Sequence, residues 1–180
     1  MKNLFIVFFC LVSVLAIKAN GQESLWKIQA VDYQGTYYGA AVANGGIGIL
    51  PWKEPFSVRH VMLNHVFDAA APQDVSRVLR GINPFNLQMQ IDGQGVSGDN
   101  ISGWRQCIDM KAATHDTHFT YGGKADISYS ICALRNMPYA GLVRVEVAAL
   151  EDMYLSVENP IEVPDEYKNP GSKQDSYIHQ

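Results

Sequence analysis

The amino-acid sequence predicts an all-β protein built as an antiparallel β-sandwich. The first observation is a two-residue alternation of apolar and polar side chains, which recurs along the chain and is bounded by Gly, Pro, Asn or Asp. The second is the scarcity of the apolar spacing that marks amphipathic helices. The third is composition: of 180 residues, 47% are hydrophobic and 18% are charged, which excludes a disordered tail and a coiled coil. The length allows one sizeable core.

The predicted strands each have one apolar and one polar face, so each sheet is expected to cover the core on one side only. In chain order they span residues 25–30, 85–91, 104–110, 119–121, 126–133, 143–149 and 153–157. Asp92-Gly93 predicts a hairpin turn toward Val96. Glu151-Asp152 predicts a second turn, which would make 143–149 and 153–157 antiparallel partners.

Helical spacing occurs in a single segment, at Val75, Val78, Leu79 and Ile82, and Gly81 would end such a helix after about two turns. From residue 159 onward the chain is polar and rich in proline, and it is expected to be a tail leading to a missing remainder.

The first residues have the pattern of a secretory signal peptide. Lys2 precedes an apolar run over residues 4–17, and small residues at Ala19 and Gly21 fit a peptidase site. The run is shorter than the roughly 20 residues that span a bilayer. We therefore expect a signal peptide at 1–21, with a cut after Ala19 as the alternative, a β-sandwich domain at 22–158 and the tail at 159–180. Cys10 lies within the run and leaves lipid attachment as a minority alternative.

These features predict a secreted or periplasmic protein with no membrane association after cleavage. Export would expose Cys107 and Cys132 to an oxidising compartment. They are a candidate disulfide if neighbouring strands bring their Cα atoms within about 7 Å. Otherwise they are two small, unreactive, mostly buried side chains.

Charge and motif spacing exclude several function classes. The formal charge is −4 with scattered bases, so no nucleic-acid partner is expected. The glycine-rich segment 44–49 is followed by Leu50-Pro51-Trp52 where a phosphate-binding helix would begin, which favours a tight turn instead.

Histidine spacing gives no metal site and no cofactor is expected. His60 and His65, and likewise His115 and His118, are an odd number of residues apart, which on a strand places the two side chains on opposite faces. Calcium held by loop oxygens stays open, because such sites often leave no sequence signature.

Carbohydrate is the ligand that the exposed aromatic segments favour. Trp52 offers a flat apolar face to a sugar ring beside the hydrogen-bonding carboxylate of Glu54, and Trp104 with Arg105 is a weaker second candidate. The alternative is that both tryptophans fill the core. Hydrolysis of a sugar bond would need a pair of carboxyl groups, and no spacing singles out such a pair, so no catalytic residue is predicted.

Four segments, taken in order, resemble the N-terminal domain of glycoside hydrolase family 65. They are 43–48 (Ala-Asn-Gly-Gly-Ile-Gly), 63–68 (Leu-Asn-His-Val-Phe-Asp), 104–110 (Trp-Arg-Gln-Cys-Ile-Asp-Met) and 119–121 (Phe-Thr-Tyr), within a resemblance that covers about 26–157. The chain departs from the family at 111–115, where Lys-Ala-Ala-Thr-His replaces a glycine and a basic residue.

The resemblance implies a galactose-mutarotase-like supersandwich that precedes an α/α toroid. The family hydrolyses or phosphorolyses α-glucosides such as maltose, trehalose or kojibiose, with inversion, through a Glu of the toroid that has no matching position here. The chain would then be a non-catalytic part whose sandwich is incomplete, and its partners would be its own missing catalytic domain and, through the parent enzyme, an α-glucoside. The exported start favours a hydrolase. A stand-alone periplasmic carbohydrate-binding module is the alternative, and a sandwich without ligand is the third.

Overall fold

The computed structural model describes residues 24–68 and 77–164, which form β-strands joined by turns and two short 3₁₀ segments. The predicted signal peptide, Cys10 and the chain beyond residue 164 lie outside the described residues. Among the described residues, no helix has the length and apolarity needed to span a bilayer. The strands are β1 Lys27–Ala30, β2 Val42–Ala43, β3 Ile47–Pro51, β4 Val58–Asp68, β5 Arg77–Arg80, β6 Gln88–Ile91, β7 Gln94–Gly95, β8 Ile101–Asp109, β9 Thr114–Tyr121, β10 Ala125–Ala133, β11 Gly141–Ala149 and β12 Leu155–Glu158.

The strands form three antiparallel sheets, as the sequence predicted for the fold class. Sheet I has the order β1-β8-β9-β10-β11, sheet II has the order β2-β3-β4-β5, and sheet III has the order β12-β6-β7. Buried side chains of all three sheets belong to one hydrophobic cluster, so sheet I packs across from sheets II and III as in a β-sandwich.

The inner face of sheet I is made by strict alternation on β9 and β10. Every second residue of these strands is buried, and the residues between them are half-buried. Phe119 and Ile127, which are register partners on this face, are fully buried. Each such side chain contributes about 1.5–3 kcal/mol through removal of apolar surface from water.

Phe56 closes the core between β3 and β4. Its φ is 59°, a left-handed conformation that a bulky residue rarely adopts, and its ring is buried against Tyr129 with 4.7 Å between the ring centroids. The Phe56 N–H donates to the Tyr129 hydroxyl over 3.0 Å. This hydrogen bond pairs a buried amide that no strand neighbour satisfies, and it holds the strained residue in the core.

The hairpin predicted at Asp92-Gly93 is confirmed. β6 and β7 pair antiparallel around it, and the φ values of 51° at Asp92 and 77° at Gly93 are those of a two-residue type I′ turn. The predicted strands are confirmed as well, with shifted bounds. The glycine-rich segment is a tight turn between β2 and β3, and Gly45 has a φ of 91°.

The predicted helix at residues 75–82 is wrong where the structure describes it. Arg77–Arg80 is strand β5, which pairs with the edge of β4. The ladder continues past the strand, since the Gly81 N–H donates to the Val61 carbonyl over 2.7 Å. Pairing with an available strand edge outweighs a helical spacing of about two turns, because so short a helix is marginal on its own.

The predicted hairpin between 143–149 and 153–157 is also wrong. β11 pairs with β10 along its whole length, whereas β12 pairs with β6 in sheet III. The chain crosses between layers because Asp92 anchors the start of β12: its carboxylate accepts the Tyr154 N–H over 2.8 Å, and its own N–H donates to the Tyr154 carbonyl over 2.8 Å.

The start of the predicted tail belongs to the sandwich. Asn83 and Glu162 exchange two backbone hydrogen bonds of 2.8 and 2.9 Å, which form an isolated antiparallel bridge. The chain is therefore still paired with the sandwich at residue 162.

We expect Tyr129→Phe to lower the free energy of unfolding by about 1–3 kcal/mol, because it leaves the buried Phe56 amide unpaired. Urea unfolding of residues 22–180 measures this change. Tyr154→Phe is the control, because the Tyr154 side chain is 86% exposed. Equal losses in the two variants would contradict the role given to the Tyr129 hydroxyl.

Candidate functional site

The predicted sugar-binding residues do not form one site. Trp104 and Arg105 are consecutive on β8 and point to opposite faces of sheet I. Trp52 directly follows β3, and Glu54 is exposed in the loop before β4. The two tryptophans therefore lie on the core side, and Arg105 lies on the outer face.

Trp104 cannot serve as a sugar platform, which corrects that prediction. It is 5% exposed and packs edge to face against Tyr33 and Tyr37, at centroid distances of 5.4 and 6.2 Å. Burial raises the pKa of the Tyr33 hydroxyl, and the nearby Glu54 carboxylate raises it further. Trp104 thus fills the core, as the alternative interpretation held.

Trp52 is half-buried and contacts the cluster of aromatic rings to which Trp104 belongs. The Arg59 guanidinium carbon lies 4.3 Å from its ring centroid, and the Tyr37 ring meets it edge-on at 5.1 Å. The Tyr37 hydroxyl donates to the Gln106 Oε1 over 2.5 Å, and the Gln106 Nε2 donates to the Trp52 carbonyl over 2.8 Å. Burial raises the pKa of Tyr37 to about 12, so this hydroxyl stays a donor at neutral pH. A sugar could stack on the arginine-covered face only after Arg59 moved away.

A polar hollow of about 310 Å³ lies on the outer face of sheet I. Two rows of side chains run across the strands along its floor. The first row is Gln29, Cys107, Asp116 and Ser130, and the second is Arg105, His118 and Ser128.

Strand alternation explains why these side chains meet. Each row consists of register partners on neighbouring strands, and such partners point to the same face of a sheet. The outward residues of β9 and β10 are only half-exposed, because side chains on the neighbouring strands shield them.

Asp116 is the electrostatic centre of the hollow. Its two carboxylate oxygens accept hydrogen bonds from Ser130 Oγ over 2.6 Å and from Thr114 Oγ1 over 3.0 Å. Burial raises the pKa of the neighbouring Cys107 thiol, and the charge of Asp116 raises it further. The thiol is therefore protonated at neutral pH, and it lacks the thiolate character of a nucleophile.

The hollow offers hydrogen-bonding groups to a polar ligand. Among the described residues that line it, Asp116 is the one carboxylate. Within residues 24–68 and 77–164, no three His, Cys, Asp or Glu side chains are grouped as metal ligands would be. The remaining groups are hydrogen-bond donors and acceptors.

The proposed bridge between Cys107 and Cys132 is absent. Both are free thiols, and β9 lies between the strands that carry them. Two strand spacings separate their backbones by about 10 Å, beyond the reach of a disulfide.

The histidines lie as their odd spacing predicted on β9. His115 points into the core, and His118 points into the hollow. Burial lowers the pKa of His115, and the adjacent Asp116 partly offsets this effect. Burial also lowers the pKa of His60, with Arg80 and Arg59 acting in the same direction.

Comparison with known proteins gives two similar sequences, both named kojibiose hydrolase. The chain is 31% identical to the protein from Mucilaginibacter mallensis over 164 residues, or 91% of the chain and 24% of the relative. It is 32% identical to the protein from Flavobacterium johnsoniae over 145 residues, or 80% of the chain and 21% of the relative. No protein-family profile matches the sequence. The chain thus spans less than a quarter of the length of these relatives. The similarity supports the resemblance to a family 65-like N-terminal domain.

We expect the stability of the domain to fall as the pH drops from 7.5 to 5. The fold favours the neutral form of His115, so protonation below its ordinary pKa of about 6.5 favours unfolding, by at most about 1.4 kcal/mol per pH unit for each proton bound. His115→Gln should reduce the dependence of the unfolding free energy on pH. The dependence that remains should come in part from His60. His65→Asn is the control, since His65 is exposed with a φ of 66° that Asn tolerates. Urea unfolding at several pH values measures the slopes. Equal slopes in His115→Gln and in the unsubstituted domain would contradict the role given to His115.

Proposed function

We propose that this chain is the N-terminal, non-catalytic β-sandwich of an exported glycoside hydrolase of family 65 that cleaves α-glucosides. The observation that carries the proposal is the similarity to kojibiose hydrolases along 91% of the chain. The parent enzyme would act on kojibiose or a related α-glucoside, with inversion at the anomeric carbon. Its catalytic residues would lie in an α/α toroid outside this chain.

The composition of the outer hollow supports a non-catalytic role. Asp116 is the one carboxylate among the described residues that line the hollow, and its two oxygens are already occupied by hydrogen bonds. His115 is buried in the core, and the Cys107 thiol in the hollow is held in its protonated form. We assign cleavage of the glycosidic bond to groups elsewhere in the parent enzyme.

The signal-like pattern of the first residues supports hydrolysis in place of phosphorolysis. Lys2, the apolar run at 4–17 and the small residues before Gln22 fit a secretory signal. An exported enzyme would meet little free phosphate, so water is the acceptor that we propose.

The test is to express the complete reading frame that contains this sequence and to assay it on kojibiose, maltose and trehalose with and without phosphate. We expect release of glucose without phosphate, with the β-anomer appearing first in an NMR time course. The 180-residue chain alone is the control and should release none. A reading frame without a downstream catalytic domain, or turnover by the isolated chain, would contradict the proposal.

A second candidate function is carbohydrate binding by the chain itself, and the hollow on sheet I favours it. Arg105, His118 and the two serines offer donors and acceptors on a concave surface of about 310 Å³, a volume that admits a single sugar ring. This binding site would include Arg105 of the residues predicted from the sequence, and it would leave Trp52 outside.

Calorimetric titration of residues 22–180 with kojibiose tests this second function. If the hollow binds the sugar, Arg105→Ala should weaken the affinity about tenfold, the effect of losing one charged hydrogen bond. Trp52→Ala should leave the affinity unchanged. Arg144→Ala is the control, since Arg144 lies on the same face but pairs with Glu146. If the unsubstituted residues 22–180 show no heat of binding, this function fails. If Trp52→Ala weakens the affinity more than Arg105→Ala does, the sugar binds at Trp52 and not in the hollow.

A further inference from the structure

Within residues 24–68 and 77–164, the sandwich is open along one side, where β11 ends sheet I and β12 ends sheet III. Neither strand has a second strand neighbour within the described residues. The chain passes from one edge to the other through residues 150–154, so the two edges lie at the same side of the core.

The inner face of β12 is only partly covered by the described part of the chain. Leu155 pairs with Ile91, and Val157 pairs with Met89, so each pair points to the same face of sheet III. Ile91 and Met89 are 1% and 3% exposed, whereas Leu155 is 41% exposed and Val157 is 48% exposed. The apolar layer therefore continues past the point where sheet I covers it.

β11 likewise has apolar side chains that are only partly covered, and backbone groups that have no strand partner among the described residues. Val143, Val145 and Val147 pack against the core but are only half-buried. Beyond the ends of the two strands, the Leu150 N–H donates to the Lys124 carbonyl, and the Leu134 N–H donates to the Ala140 carbonyl. Even-numbered residues of β11 thus face β10, so the backbone groups of the three valines point to the open edge.

We infer that a β-strand from the part of the parent protein that follows this chain pairs with β11 and covers the apolar side chains of both edges. The inference rests on the proposed function, in which this chain is the first part of a longer enzyme. The relatives are long enough to contain such a strand, since more than three quarters of each lies outside the similar region.

The edge itself indicates what the partner must be. Open strand edges in soluble proteins usually carry inward-pointing charges, prolines or bulges that block pairing. β11 instead pairs in unbroken register for nine residues, and its charged residues, Arg144 and Glu146, lie on the outer face, where they pair with each other. Such an edge accepts an extended segment whose inward side chains are apolar and whose backbone completes the ladder.

Hydrogen exchange in the complete protein tests whether the edge is paired. Residue-resolved mass spectrometry compares the amides of Val143, Val145 and Val147 with those of Leu142, Arg144 and Glu146 in the same molecule. If a strand covers the edge, we expect the two sets to exchange within about tenfold of each other. Exchange of the valine amides roughly a thousandfold faster would overturn the inference.

Photo-crosslinking identifies the occupant. In the complete protein, Leu155→p-benzoylphenylalanine should link to a peptide that follows residue 180 in the same chain. A crosslinked dimer would assign the edge to a second copy, and a link to residues 1–23, 69–76 or 165–180 would assign it to a segment of this chain. Either outcome, or a reading frame that stops at Gln180, overturns the inference.

A pair of substitutions in the complete protein supplies the matched control. Val157→Arg places a charge under the proposed strand and should lower the unfolding temperature by roughly 5 °C or more, whereas a side chain that stays 48% exposed would tolerate the charge. Ala148→Arg places the same charge on the outer face of β11 and should change it little. Equal effects would contradict the inference.

Kojibiose assays on the unsubstituted complete protein separate the two claims. If the protein turns over kojibiose but the β11 amides exchange fast, the proposed function stands and the inference about the edge strand is wrong. If the β11 amides are protected but no α-glucoside is turned over, the inference stands and the proposed function is wrong.

Discussion

The fold depends on the different environments of the two faces of sheet I. On β9 and β10, alternate residues are buried in the core, and the residues between them form the floor of a polar hollow. A shift of one residue in either strand would exchange the two sets and place Asp116 where Phe119 and Tyr129 now pack. The register of these strands therefore fixes both the core and the candidate binding surface.

The same constraint limits what the chain can do chemically. A sheet face that supplies its side chains in rows presents many hydrogen-bonding groups at a regular spacing, but it brings together an acid and a base only where the sequence puts both in register. Here Asp116 is flanked across the strands by Cys107 and Ser130, and it is the one carboxylate among the described residues that line the hollow. In the function that we propose, such a face serves recognition or support.

Sequence patterning predicted the strands whose alternation is strict, and it failed where the backbone is irregular. β4 was not predicted, because a register shift opposite Leu50 and Pro51 and another after Met62, near the left-handed His65, break its two-residue period. The pairing of β12 was mispredicted because a turn signal reports only that the chain reverses, while the Asp92 side chain decides which strand it meets. Trp104 and Arg105 were grouped as neighbours in sequence, although consecutive strand residues lie on opposite faces. Their separation could have been predicted from that rule alone.

In the function that we propose, this sandwich supports an active site to which it does not contribute the reacting groups. A crystal structure of the complete parent protein with kojibiose, or with an unreactive analogue if turnover is fast, would show where the sugar is cleaved. We expect the scissile bond to lie between carboxyl groups of a domain that follows this chain. A scissile bond held in the hollow between Arg105 and Asp116 would contradict this proposal.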